Sequence, residues 1–149
     1  MSPRIYTLES ETLATADSPA NTTIYNPSAS VSSVFKMSRF VYHTCRVSIK
    51  AGNANAVVYA IHRKVPQGYS SPGVTIADAN TTFVDPPNIL AYGAKYIYGS
   101  TIDTMSFIDL RPLNKSLQVA AGDSIVLQVV SDTASSGQSY DCILEYEIQ

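Results

Sequence analysis

Charge is what this chain has least of. Lys, Arg, Asp and Glu make up 15 % of its 149 residues, against roughly 25 % in an ordinary soluble domain. The formal net charge is -2, and no run of five like charges occurs. Bulk electrostatics therefore do not advertise nucleic acid, and no charged tail is present. Cysteine is scarce too: Cys45 and Cys142 stand outside any CxxC or Cys/His cluster, which argues against zinc. Both fall in apolar strand patterns and read as buried free thiols, with a disulfide between them as the alternative. No apolar run is long enough to span a bilayer. The N-terminal "MSPRIYTLESETLATADS" lacks the charged-then-apolar layout of a signal peptide. No membrane partner is expected.

Catalytic signatures are missing as well. There is no GxSxG, HExxH or P-loop, and the glycines of "GYSSPG" lack the spacing and the following helix of a phosphate cradle. Asp103 and Asp109 sit six residues apart on one strand face, which is roughly 20 Å and too far for a carboxylate pair. Asp78 and Asp85 read as solvated loop acids, with calcium held across a subunit contact as the alternative. The two histidines are His43, on an apolar strand face, and His62, near the end of another strand. A strand histidine on an apolar face reads as a satisfied core residue. The N-x-Ser/Thr matches at Asn21, Asn80 and Asn114 are about as many as so much Ser and Thr produces by chance. No enzyme activity, cofactor or resident metal is expected.

What is abundant is strand material. Hydrophobic residues make 45 % of the chain, enough for one sizeable core. Tyr, Val, Ile and Thr come in short runs broken by Gly, Pro, Asn and Asp, and helical periodicity is hard to find. The pattern predicts an all-β protein of about eight strands with long, uneven loops, a single jelly roll of two packed antiparallel sheets. Residues 1–33 read as an N-terminal arm with a first strand near Ile5–Leu8, and "TADSPANTTIYNPSASVSS" as arm or loop. Residues 34–149 read as the jelly roll proper. In "RFVYHTCRVSIK", Val41, His43, Cys45, Val47 and Ile49 share one face. In the next strand Val57, Tyr59 and Ile61 do. In "YDCILEYEIQ", Cys142, Leu144, Tyr146 and Ile148 face in, while Ile143, Glu145 and Glu147 face out. "VAAGDSIVLQVV" is a turn followed by the penultimate strand, with Ile125, Leu127 and Val129 on its greasier face.

Two stretches carry a resemblance. One is "VYAIHRKVPQGYSSPGVTIADANTTFVDPPNILAYG", in which Pro86, Asn88, Ile89 and Leu90 match a "Y-x-P-x-x-N-V-L/I" element. The other is "FIDLRPLNKSLQVAAGDSIVLQVV". Its Arg111, Leu113, Leu117, Gly122, Asp123, Ile125 and Leu127 approximate "R-x-L-x-x-x-L-x-x-G-D-x-I-x-L". In this order they resemble the small capsid proteins of circular, Rep-encoding single-stranded DNA viruses, over residues 57–131. The resemblance implies a jelly-roll protomer that assembles with copies of itself into a small icosahedral shell, located in the virion. It also implies single-stranded DNA as a partner. That family usually begins with an Arg/Lys-rich arm, and here only Arg4 stands there. DNA contact is therefore expected to be weak, through Arg4, Lys36 and Arg39, with Arg46 and Lys50 next in line. The second element also resembles the trimeric tumour-necrosis-factor and C1q-like jelly rolls, which makes an extracellular trimeric binding module the alternative.

Overall fold

The structure is a computed structural model and describes residues 3–13, 20–27, 37–68, 86–99, 104–133 and 137–149. β-Branched and aromatic residues alternating with polar ones build its strands. In chain order these are β1 (Arg4–Thr12), β2 (Ala20–Tyr25), β3 (Met37–Lys50), β4 (Ala56–Val65), β5 (Ile89–Ile97) and β6 (Met105–Asp109). After them come β7 (Arg111–Pro112), β8 (Ser116–Ala120), β9 (Ser124–Ser131) and β10 (Ser139–Ile148). A 3-10 turn at Pro86–Asn88 leads into β5, where the paired prolines preclude a strand.

All pairings are antiparallel. One sheet runs β1-β10-β3-β6, with β8 also on β3, and the other runs β2-β9-β4-β5-β7. Strands from opposite ends of the chain are neighbours: β1 with β10, β2 with β9, β3 with β6 and β8, β4 with β5. A long antiparallel ribbon folded over so that β10 also meets β3 and β9 also meets β4 is a jelly roll. The core lies between the sheets. Val47, Ile49, Cys142 and Leu144 from one sheet face Val58, Ala60, Ile125, Leu127 and Val129 from the other. Each fully buried aliphatic side chain there contributes about 1.5–3 kcal/mol.

Three strand readings change. The stretch read as arm or loop contains β2, whose Thr22, Thr23 and Tyr25 pair with Leu127, Val126 and Ile125 of β9. Its strand-forming residues find partners a hundred or more positions away, and the surrounding Ser, Pro and Ala mask them. Strand β3 does not keep one face along its length. Between Thr44 and Tyr42 its register against β10 slips, leaving His43 as an extra residue. Such a bulge reverses the alternation beyond it. Cys45, Val47 and Ile49 point inward as expected, but toward the N-terminus it is Phe40 and Tyr42 that are buried, while His43 is exposed. Strand β9 is buried on both faces, because Val126, Gln128 and Val130 are covered as fully as Ile125, Leu127 and Val129. In β10 the inward set Cys142, Leu144, Tyr146 and Ile148 is as expected.

The Ala121-Gly122-Asp123 turn sets the start of β9. Gly122 takes φ of 89°, which a side chain disfavours. The Asp123 carboxylate accepts from the Ala120 N–H at 2.9 Å and from the Gln67 N–H at 2.9 Å, tying the turn to the end of β4.

Candidate functional site

Between β6 and β8 the chain leaves one sheet and visits the other. The Leu110 N–H donates to the Cys45 carbonyl at 2.9 Å, the last backbone bond to β3 before the crossing. Arg111 and Pro112 then pair with Tyr92 and Ala91 at the far edge of the second sheet. Proline is tolerated there because an edge strand leaves one side unpaired. The Leu113 and Asn114 N–H groups both donate to the Leu90 carbonyl, and Asn114 Nδ2 donates to the Ile89 carbonyl at 2.7 Å. The chain returns where the Tyr42 N–H donates to the Lys115 carbonyl.

This excursion leaves a cavity on each side. One, of about 570 Å³, lies over β3 between Tyr42, Cys45, Leu110, Pro112 and Ile143. The other, of about 400 Å³, lies along the flank where β5 meets β6. Its floor is Ile61, Gly93 and Ile108, and its walls carry Tyr59, Tyr92, Phe107, Asp109 and Arg111. Gly93 permits the close approach, since a Cβ there would stand 2.5 Å from Ile108 Cγ2.

The electrostatics concentrate at this flank. Arg46 forks onto Asp109, with Nε and Nη2 donating at 2.7 and 3.2 Å. Its guanidinium also lies 5.1 Å from the centre of the Phe107 ring. The Arg46 hydrogen bonds, and less strongly the charge of Lys95, hold the Asp109 carboxyl below the usual carboxylate range. Lys95 Nζ donates to the Phe107 carbonyl at 3.3 Å. Arg46, named above as a further candidate for phosphate contact, thus stands forked on Asp109.

Of the residues expected to meet DNA, Arg4 and Arg39 stand on opposite faces of their sheet. Arg4 lies opposite Tyr146, in the row that continues to Tyr42 on the inward side. Arg39 lies beside the inward-facing Phe40, hence on the outward side, and donates to Ser116 Oγ at 2.9 Å. Lys36, Asp78, Asp85, Asp103, Asn80 and the "GYSSPG" loop lie wholly or mainly outside the described residues.

The core role expected of His43 falls to His62. His43 Nε2 lies 2.9 Å from Glu147 Oε2 at the surface. His62 is the core histidine, between Phe40 and Tyr42 at ring distances of 5.3 and 5.8 Å. Neither of its ring nitrogens has a hydrogen-bond partner among the described residues. Burial pushes its pKa down to about 3, so the ring is neutral at physiological pH. Cys45 and Cys142 are free and buried, and burial pushes the Cys45 thiol up, the neighbouring Cys142 adding to it. Among the described residues no group of three His, Cys, Asp or Glu side chains converges as metal ligands would.

No protein-family profile matches the sequence, and no curated protein does. Solved virus structures are similar in shape. That of Cocksfoot mottle virus aligns with 97 % of this chain and 91 % of its own, at 9 % identity and a TM-score of 0.46. Two structures of turnip yellow mosaic virus, one of them the empty head, align with 97 % of this chain and 79 % of theirs. Their identities are 14 % and 15 %, each with a TM-score of 0.38. The strand order establishes the jelly roll independently of these likenesses.

Sequence reasoning passed over the tyrosines. The β4–β5 register sets Val57 opposite Tyr96, Tyr59 opposite Ala94 and Ile61 opposite Tyr92. The core takes the alternate residues Ala56, Val58, Ala60 and Ala91, so Tyr59, Tyr92 and Tyr96 all stand on the outer face. The period-two spacing in "YGAKYIYG" carried that signal.

Proposed function

We propose that the chain is a structural virion protein, a protomer that assembles with copies of itself into a small icosahedral shell. One observation carries this reading. The outer face of the β1-β10-β3-β6 sheet presents Ile5, Met105, Phe107 and Ile143, each between 47 % and 70 % exposed. The register places them on that single face: Ile143 beside Thr7 and Arg46, Phe107 beside Ser48, Met105 beside Lys50. Large exposed apolar side chains that share one sheet face, interspersed with polar ones, suit a surface covered by another subunit. The charge content of 15 % also suits a molecule that buries much of its outside against its own copies. The resemblance of residues 57–131 to capsid proteins of circular, Rep-encoding single-stranded DNA viruses supports the virion and DNA as its cargo. Arg4, Lys36 and Arg39 then offer weak, salt-sensitive contacts, since affinity scales with the phosphates neutralised.

Electron microscopy and light scattering of the purified protein test the reading. Closed particles are expected, and Ile143→Lys should abolish them without unfolding the protein. Monomers at high concentration across pH and salt would overturn it. Compact trimers would select the extracellular binding module instead.

A further inference from the structure

The outer face of the other sheet carries a different chemistry. Tyr96 and Tyr98 are 49 % and 74 % exposed, and their rings meet edge to face with centroids 4.9 Å apart. Tyr92 stands on the same face of β5, four residues before Tyr96, with Tyr59 of β4 opposite Ala94 between them. Four tyrosines thus follow β5 from the flank cavity to the end of the strand. At the cavity end, Arg111 lies directly across from Tyr92. Arg111 is exposed, and no hydrogen bond or ion pair engages its side chain among the described residues. Arg46 and Lys95 both act on Asp109, which lines the cavity together with Arg111. A protein with a net charge of -2 therefore holds a local cationic excess at the foot of an aromatic track.

We infer that this face binds a single-stranded nucleic acid, with bases stacking on Tyr92, Tyr96 and Tyr98 and a phosphate on Arg111. Aromatic side chains on an open sheet are the usual platform for unpaired bases, and a cationic groove beside them tracks the backbone. Tyr59 and Tyr92 line the cavity, whose apolar floor suits one base inserted between them. A neutral sugar would use the rings but not the excess of cations. A second copy of this chain would bring a net charge of -2 rather than a row of phosphates. The inference rests on the virion reading only for the biological source of the strand.

The test is fluorescence anisotropy of a labelled oligothymidylate against the full chain, with a duplex of the same length as control. Binding to the single strand and not to the duplex is expected. The double variant Tyr96→Ala/Tyr98→Ala should lose about tenfold or more in affinity. Arg111→Ala should weaken binding and lower the slope of log affinity against log salt by about one. Unchanged urea unfolding midpoints confirm that these exposed substitutions leave the fold intact. No binding by the parent protein would overturn the inference. So would full binding by the tyrosine variant with loss in an Arg4→Ala/Lys36→Ala/Arg39→Ala variant. If the tyrosine variant blocks particle formation but leaves oligothymidylate affinity unchanged, the face is a subunit interface and the inference fails. Because binding is measured on the soluble protein, its failure is distinct from an absence of shells in the microscope.

Discussion

Replacing His62 with Leu should change how the stability of this protein depends on pH, and the size of the change follows from burial. The ring is wholly enclosed, packed against Phe40 and Tyr42, with both nitrogens unpartnered among the described residues. Its pKa falls from an ordinary 6.5 to about 3 in the folded chain. The unfolded chain therefore binds a proton that the folded chain refuses. The stability this represents is fully present above pH 6.5 and is lost as the pH falls toward 3. Between pH 7 and pH 4 the linkage relation gives a loss of roughly 3 kcal/mol from this one group. Against a total of about 5–15 kcal/mol, that is enough to move an unfolding midpoint far. The assay is urea unfolding, followed by circular dichroism, of the parent protein and His62→Leu at both pH values. Every other titrating group, including the His43–Glu147 pair, is common to the two proteins and cancels in the comparison. At pH 7 the variant should lie within about 1.5 kcal/mol of the parent, because an apolar side chain replaces a polar one that has no partner. At pH 4 the variant should be the more stable by about 3 kcal/mol relative to that baseline. Parallel pH–stability curves for the two proteins would refute the reasoning, for they would mean that the ring takes up its proton where it sits.

Three further outcomes follow from the fold. Asp123→Ala strands the N–H groups of Ala120 and Gln67 at a nearly buried turn and should cost about 2–4 kcal/mol in urea unfolding; a cost under about 0.5 kcal/mol would show that water replaces the carboxylate. Gly93→Ala drives a Cβ to 2.5 Å from Ile108 Cγ2 and should cost about 1–3 kcal/mol, with part recovered by Ile108→Leu, which removes that methyl; equal damage in both backgrounds would place the strain elsewhere. Alkylation under denaturing, non-reducing conditions should label both Cys45 and Cys142, while the native protein reacts slowly at either; a mass lacking both labels would reveal a disulfide.

How far the chain speaks for itself depends on the range over which each feature is decided. Alternation in "YDCILEYEIQ" is local, and it correctly turned Cys142, Leu144, Tyr146 and Ile148 inward. The turn chemistry of Ala121-Gly122-Asp123 is local too, and it marked the start of β9. The all-β class follows from many such short runs taken together. Where the next strand decides, the chain was silent. The bulge at His43 exists because β10 offers one residue fewer than β3 there. That single slip made His43 a surface residue and gave its inward position to Tyr42, while burial in the core fell to His62, which the chain placed only near a strand end. Strand β2 became legible only against β9, and Arg111 met Tyr92 only because the chain crosses between sheets after Leu110. Side-chain alternation says which residues share a face within a strand. It cannot say which face meets the core, nor which side chains from distant strands stand together, because those follow from pairing register and from the sheet each strand joins.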